Sequence, residues 1–428
     1  MRLRTAFIST LLLTVLAGCG KEDLGYHLTD NASEDMTLIF YADAYNNLYS
    51  DIAANVETIF AGSIPQTGSR KNLLVYIHEP VKAGDYKTPN PSYLMRLRRD
   101  ELGVPVKDTL LTISKDRSAA DPDVLREVVS AAAKAAPSSH YGLILSSHGT
   151  GWLPKGYFNT GTISGAPRRA AMADAQQEGD RVFPQTGILT KSFAGEYYFN
   201  AMNKLRTKEM DIKDAAAAIP VHMDWILFDA CYMGCVEVAY EFRGVTDKII
   251  FSPAEVISTG FDYSKMAEYL LADGQDTEGF AEAYYRMYLN DSRGGDWQSA
   301  TITVLDCSKI EVLASTCSAL FSRYGGILAT MEEGDIQRYY RHEKPYFYDL
   351  QDILVHAGIS GAEASSLQAA LDGCIPYKAA TPHFLAGEGG FDITAYSGLG
   401  MYLPGMGAGE LDEYYKGLAW NKATGLVK

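Results

Sequence analysis

Short apolar runs alternate with longer stretches of helical periodicity along most of the chain. The runs at 37–41, 72–78, 93–97, 143–147, 225–229, 248–252 and about 300–305 read as strands. Between them, apolar positions recur at helical spacing over about 44–60, 121–136, 198–206, 235–242 and 277–289, the second stretch opening on Asp121-Pro122 as helices often do. Alternation of this kind is the signature of βαβ units. It predicts an α/β fold: a mainly parallel sheet flanked by helices.

Three stretches change the picture. Between 154 and 187 the periodicity disappears into Gly, Ala, Pro and Gln with Arg168, Arg169 and Arg181 interspersed, which reads as a long surface loop. From about Cys307 the pattern becomes more helical, with aromatic-rich 339–348 and a strand expected in 396–404. The expected division is therefore a core over 37–305 and a smaller C-terminal α/β subdomain over 306–428 packed on it. At the other end, Arg2 and Arg4 precede an apolar run over 6–16 and then Leu16-Ala17-Gly18-Cys19, which resembles a lipobox. The run is shorter than the roughly 18 residues a spanning helix needs. Residues 1–18 are thus expected to be a signal peptide, Cys19 the acylated residue and 19–36 a tether. Gly20-Lys21-Glu22-Asp23 resembles the export signal of surface lipoproteins in the Bacteroidetes, so an outer-membrane anchor is expected, surface-exposed or otherwise facing the periplasm.

Charge narrows the partners. With 38 basic against 53 acidic residues the formal charge is -15, which opposes the counterion-release attraction that nucleic acids offer. Setting Cys19 aside leaves Cys231, Cys235, Cys307, Cys317 and Cys374, an odd number in an oxidising compartment, so at least one thiol stays free unless it pairs between molecules. Spacing does not assign partners among Cys235, Cys307, Cys317 and Cys374.

Two strand ends carry reactive side chains, and in parallel α/β sheets sites gather outside the carboxyl ends of strands. One is the run 143–147 leading into His148-Gly149-Thr150-Gly151-Trp152. The other is Trp225-Ile226-Leu227-Phe228-Asp229-Ala230-Cys231-Tyr232-Met233-Gly234, an acid and a cysteine just ahead of a helical segment. A helix N-terminus and a neighbouring imidazolium both favour a thiolate. Each residue alone has a bland reading, a structural histidine or an inert buried cysteine. Together they make a Cys–His dyad if the strand ends are adjacent.

The paired motifs resemble the clostripain family of cysteine peptidases, in the wider caspase-like clan. The resemblance continues through Glu237 to Phe242, Ser252-Pro253-Ala254-Glu255 and Gly260-Phe261-Asp262-Tyr263, and includes the first strand and turn from Tyr41 to Leu48. It implies a caspase- and gingipain-like sheet. It also implies Cys231 as nucleophile, His148 as acid and base, and the N–H groups of Gly149 and Cys231 as oxyanion donors. A basic residue on the acyl side of the cut would be read by acids, of which Asp229 matches one; the second position holds Thr259, for which Glu255 or Asp262 can substitute unless the pocket takes a neutral side chain. Relatives are commonly matured between the His and Cys segments, where Lys155, Arg168, Arg169 and Arg181 offer sites.

The partners implied are a peptide or protein substrate and a membrane, without nucleic acid. No cofactor is expected. Cys231 and Cys235 lack the further ligands a zinc site needs, and no acidic loop of EF-hand type is present, although some relatives respond to calcium. His78, His342, His356 and His383 have no partner that the sequence identifies, and no Gly-x-Ser-x-Gly elbow points to a serine hydrolase. A different class of function remains beside the endopeptidase: a catalytically silent, caspase-like surface lipoprotein that binds peptides or proteins.

Overall fold

The computed structural model describes residues 36–157 (63 and 89 excepted), 195–199, 203, 205–341, 346–404, 406 and 409–428. The expected signal peptide, Cys19, the expected tether up to 35 and the expected loop from 158 to 187 lie outside the described residues.

The strands are β1 (Met36–Asp43), β2 (Lys71–His78), β3 (Ser92–Arg99), β4 (Pro105–Ile113), β5 (Tyr141–Ser146), β6 (Glu196–Phe199), β7 (Leu205–Lys208), β8 (Met223–Asp229), β9 (Thr246–Phe251) and β10 (Thr301–Asp306). Five short ones follow: β11 (Tyr348–Asp349), β12 (Tyr377–Ala380), β13 (His383–Phe384), β14 (Phe391–Asp392) and β15 (Gly400–Met401). Nine strands form the central sheet in the order β12-β10-β9-β8-β5-β1-β2-β3-β4. The middle of it, β9-β8-β5-β1-β2, is parallel throughout, and both flanks are antiparallel. The α/β expectation of a mainly parallel sheet flanked by helices holds.

Burial explains why the middle strands were legible. Every residue of β1 and β5 is buried, as for strands covered on both faces by the crossover helices Tyr49–Ala61, Pro122–Ala135 and Val236–Phe242. Close packing also dictates Gly142 on β5. A Cβ there would stand 2.1 Å from Trp225 Cζ2 on β8, its register partner.

Two expectations need correction, and one strand has no counterpart among them. The helix read over 198–206 is instead the antiparallel hairpin β6–β7. Tyr197 points in and the 45% exposed Tyr198 out, a period of two that a helical reading of the aromatics obscures, and the turn contains Asn203 at φ 54. Strand β4 was missed because it is an outer strand whose Lys107, Asp108 and Thr109 give no apolar run. The strand expected in 396–404 shrinks to β15, which pairs with β11, while neighbouring Leu403 and Pro404 leave the ladder.

The C-terminal segment reaches the centre of the fold through Glu237, a fully buried carboxyl on the helix Val236–Phe242. Its Oε1 accepts Tyr402 N–H at 2.9 Å and Tyr415 O–H at 2.6 Å. Burial, only partly offset by these hydrogen bonds, pushes its pKa up to about 7. A carboxyl with a raised folded-state pKa binds its proton more tightly in the native state. Its contribution is therefore intact below the unfolded value of 4.5 and lost as pH rises towards about 7. The loss is about 3 kcal/mol if the whole shift is expressed in stability. Denaturant unfolding of Glu237→Gln at pH 5 and pH 8 should show a flatter pH dependence than the parent; an unchanged slope would mean the carboxyl does not titrate in that window.

Candidate functional site

Strand β2 lies to one side of β1, and β5, β8 and β9 to the other, so the order reverses at β1. Crevices at such a reversal, beyond the carboxyl ends of the strands, are where α/β sheets place ligands. The register aligns the ends: Ala42 pairs with Ser146, and Ser146 with Asp229. His148 and Cys231 each lie two residues beyond this last pair, on strands about 4.8 Å apart. Both therefore follow neighbouring strand ends at the same edge of the sheet.

The cysteine sits in a tight turn. Tyr232 adopts φ 58, a left-handed conformation costly for a bulky residue, and is held there by its N–H to Ala254 O at 3.0 Å and by stacking of its ring on Phe347 at 4.9 Å. Gly234 N–H donates to Ser252 O at 2.8 Å. These bonds lay the segment from Ser252 to Val256 against the turn, and Val256 N–H donates to Cys231 Sγ at 3.1 Å. Sγ in turn donates to Val256 O at 3.6 Å, so the N–H favours the thiolate and the carbonyl the thiol. The helix itself begins at Val236, within one residue of its expected start and five residues past the thiol.

The histidine is fixed by a side chain that the sequence did not single out. His148 Nε2 lies 2.6 Å from Asn47 Oδ1, which also accepts the Tyr197 hydroxyl at 2.8 Å. Since Oδ1 is an acceptor, Nε2 carries the proton in this arrangement, and Nδ1 is the basic nitrogen of the neutral ring. Asn47 follows β1 in the Tyr41–Leu48 segment that carries part of the resemblance, and Tyr197, just before the helix expected over 198–206, carries no sequence signal of its own. Nearby, Glu196 enters a buried cluster where it pairs with His78 Nδ1 and accepts Ala119 N–H at 2.9 Å. Burial, and then the Glu196 carboxylate, push the Asp43 carboxyl well above its usual range, while Ser147 O–H donates to Asp43 at 3.3 Å. His78 thus has a partner that spacing could not reveal, since 118 residues separate it from Glu196.

The acids near the thiol differ in their surroundings. Asp229 is fully buried, accepts the Ser146 hydroxyl at 2.8 Å and lies among Tyr263, Tyr284 and Tyr288. Burial first, and in part Asp229, push these phenols up. Glu255 is buried in an ion pair with Arg341. Thr259 is exposed, and Asp262 precedes the helix Tyr263–Leu271 and accepts the Ser264 hydroxyl at 2.6 Å. Gly149 is buried directly after His148. Cys231 and His148 are 1% and 2% exposed. Lys155, at the start of the loop, pairs with Asp214 at 2.9 Å. The described cysteines, Cys231, Cys235, Cys307, Cys317 and Cys374, are free thiols.

The model of the clostripain family matches residues 179–353. Clostripain of Hathewaya histolytica is 24% identical over 261 residues, 57% of this chain but 44% of its own length, so the chain spans less than half of that relative. An inactive zymogen of a C11 protease from Parabacteroides distasonis superposes with a TM-score of 0.70 at 25% identity, over 92% of this chain and 98% of that one. A secreted C11 cysteine protease from Bacteroides thetaiotaomicron, iotapain, has the same fold at TM-score 0.70 and 22% identity, over 91% and 99%.

Proposed function

We propose that this chain, clostripain-like in sequence and in fold, is a cysteine endopeptidase that hydrolyses peptide bonds through a Cys231 thioester. The observation that supports the reading is that His148 and Cys231 each follow by two residues the paired strand ends Ser146 and Asp229. In this reading the Cys231 thiolate attacks the scissile carbonyl and a C–S bond forms. The N–H groups of Gly149 and Cys231 hold the oxyanion, and the C–N bond breaks as His148 protonates the departing amine. His148 then takes a proton from water, which attacks the thioester and restores the thiolate.

Asn47 sets the tautomer that this sequence of proton transfers requires. Asn47→Ala should lower kcat roughly ten- to hundredfold, the scale of one hydrogen bond to a group that becomes charged, with little change in KM. Asn47→Asp should instead move the His-dependent limb of the pH–rate profile upward, because a carboxylate beside the ring favours imidazolium. A normal profile and rate in both variants would remove Asn47 from the mechanism.

The finer reading has three further parts. Asp229 favours a basic residue on the acyl side, the loop between His148 and Cys231 is cut by the enzyme itself, and the chain is held on the outer membrane, surface-exposed, by lipid on Cys19. No cofactor is needed for the chemistry. Cys19→Ser should move the protein from the membrane fraction to the soluble fraction; retention there would refute the anchor.

The test is labelling of the purified chain from Asp23 onward with peptidyl acyloxymethyl ketones carrying Arg, Lys or a neutral residue. Labelling is expected, and its loss in Cys231→Ala. The burial of Cys231 and His148 favours a second reading, a silent peptide-binding surface protein. Absence of labelling by every probe, with the loop intact and nicked, would select it.

A further inference from the structure

The ion pair between Glu255 and Arg341 lies beside the thiol and has no task in the mechanism above. Glu255 directly precedes Val256, whose N–H is bound to Cys231 Sγ. Its Oε2 accepts Arg341 Nε at 2.8 Å, with side-chain exposures of 2% and 6%. Arg341 Nη1 also donates to Glu388 O at 3.1 Å. Burial would depress the guanidinium pKa, but Glu255 raises it, and smaller contributions from Tyr232 and Cys231 put the cation within electrostatic range of the turn.

Two buried acids therefore lie near the nucleophile, Asp229 two residues before it and Glu255 next to Val256. Asp229 accepts the Ser146 hydroxyl, and Glu255 is paired with Arg341. A basic substrate side chain would have to displace a guanidinium that is already desolvated, tethered and hydrogen-bonded.

We propose that Arg341 is a specificity-determining residue: it neutralises Glu255 and withholds that carboxylate from the substrate side chain on the acyl side of the cut. This gains its meaning from the peptidase reading, but binding tests it without catalysis. On the Cys231→Ala background, with the loop intact and nicked, calorimetry would compare peptide amides ending in Arg, Lys or norleucine. Arg341→Gln should raise affinity for the Arg and Lys peptides, relative to norleucine, roughly tenfold or more. The double variant Glu255→Gln/Arg341→Gln should return the ratio to that of the parent.

Removing one member of a buried pair is far more damaging than removing both. If Arg341→Gln does not fold, the double variant decides alone. An unchanged Arg-to-norleucine ratio supports the proposal. A ratio about tenfold lower means Glu255 already serves the substrate cation, and overturns it. Equal ratios in parent and Arg341→Gln, or no peptide binding in any form, overturn it too. Failure of the ketone probes to label wild type, with the binding shift present, would sink the peptidase reading and leave this one standing.

Discussion

Cys231→Ala is expected to abolish peptide hydrolysis while leaving the fold in place. Loss of one sulfur from a turn held by the Tyr232 and Gly234 backbone bonds removes the nucleophile and little packing. His148→Ala should be less absolute, since a thiolate still attacks without the imidazole. General acid–base assistance is worth about 10²–10⁴-fold, and kcat should fall on that scale. The two variants also separate the maturation step: if the loop is self-cut, purified Cys231→Ala should remain in one piece where wild type is nicked. Equal cutting of both would assign that step to another peptidase. Steady-state kinetics with a peptide substrate, read beside the melting temperature, distinguishes lost chemistry from lost structure.

Gly234→Ala should give the opposite signature, a large loss of stability that carries activity with it. A Cβ on Gly234 would stand 2.3 Å from Pro253 N and 2.5 Å from Ser252 C, both main-chain atoms that cannot rotate away. Relief requires separating the nucleophile turn from the segment that supplies Val256 N–H to the sulfur. Overpacking of this kind costs about 1–3 kcal/mol, and more when backbone is the obstacle. Urea unfolding should place Gly234→Ala well below Cys231→Ala. Equal midpoints would show that the turn can open without cost, and with it the argument that backbone sterics hold Cys231 in place would fall.

The contrast between the middle and the edge of the sheet explains what was readable in advance. Strands β1, β5 and β8 are buried on both faces, so their sequences are almost unbroken apolar runs that end where polar, reactive residues begin. That punctuation alone places His148 and Cys231 just beyond strand ends. Strand β4 lies at the sheet edge with alternating half-exposed positions, and the β6–β7 hairpin is short and aromatic, so neither carries a signal that periodicity resolves. The acids show the same limit. Asp229 and Glu255 look alike in sequence, and their different partners, Ser146 and Arg341, lie 83 and 86 residues away.

The sequence by itself determined the fold class, the parallel strands at its centre and the two residues on which the proposed chemistry turns. Hydrophobic burial is a local property of each segment and leaves a local record. Only the tertiary structure decided the strand order that puts β5 beside β8, the Asn47–Tyr197 support of the imidazole and the Arg341 counter-ion of Glu255. Each of these is a pairing between distant segments, fixed by register and close packing across the sheet, and no single stretch of chain records its partner.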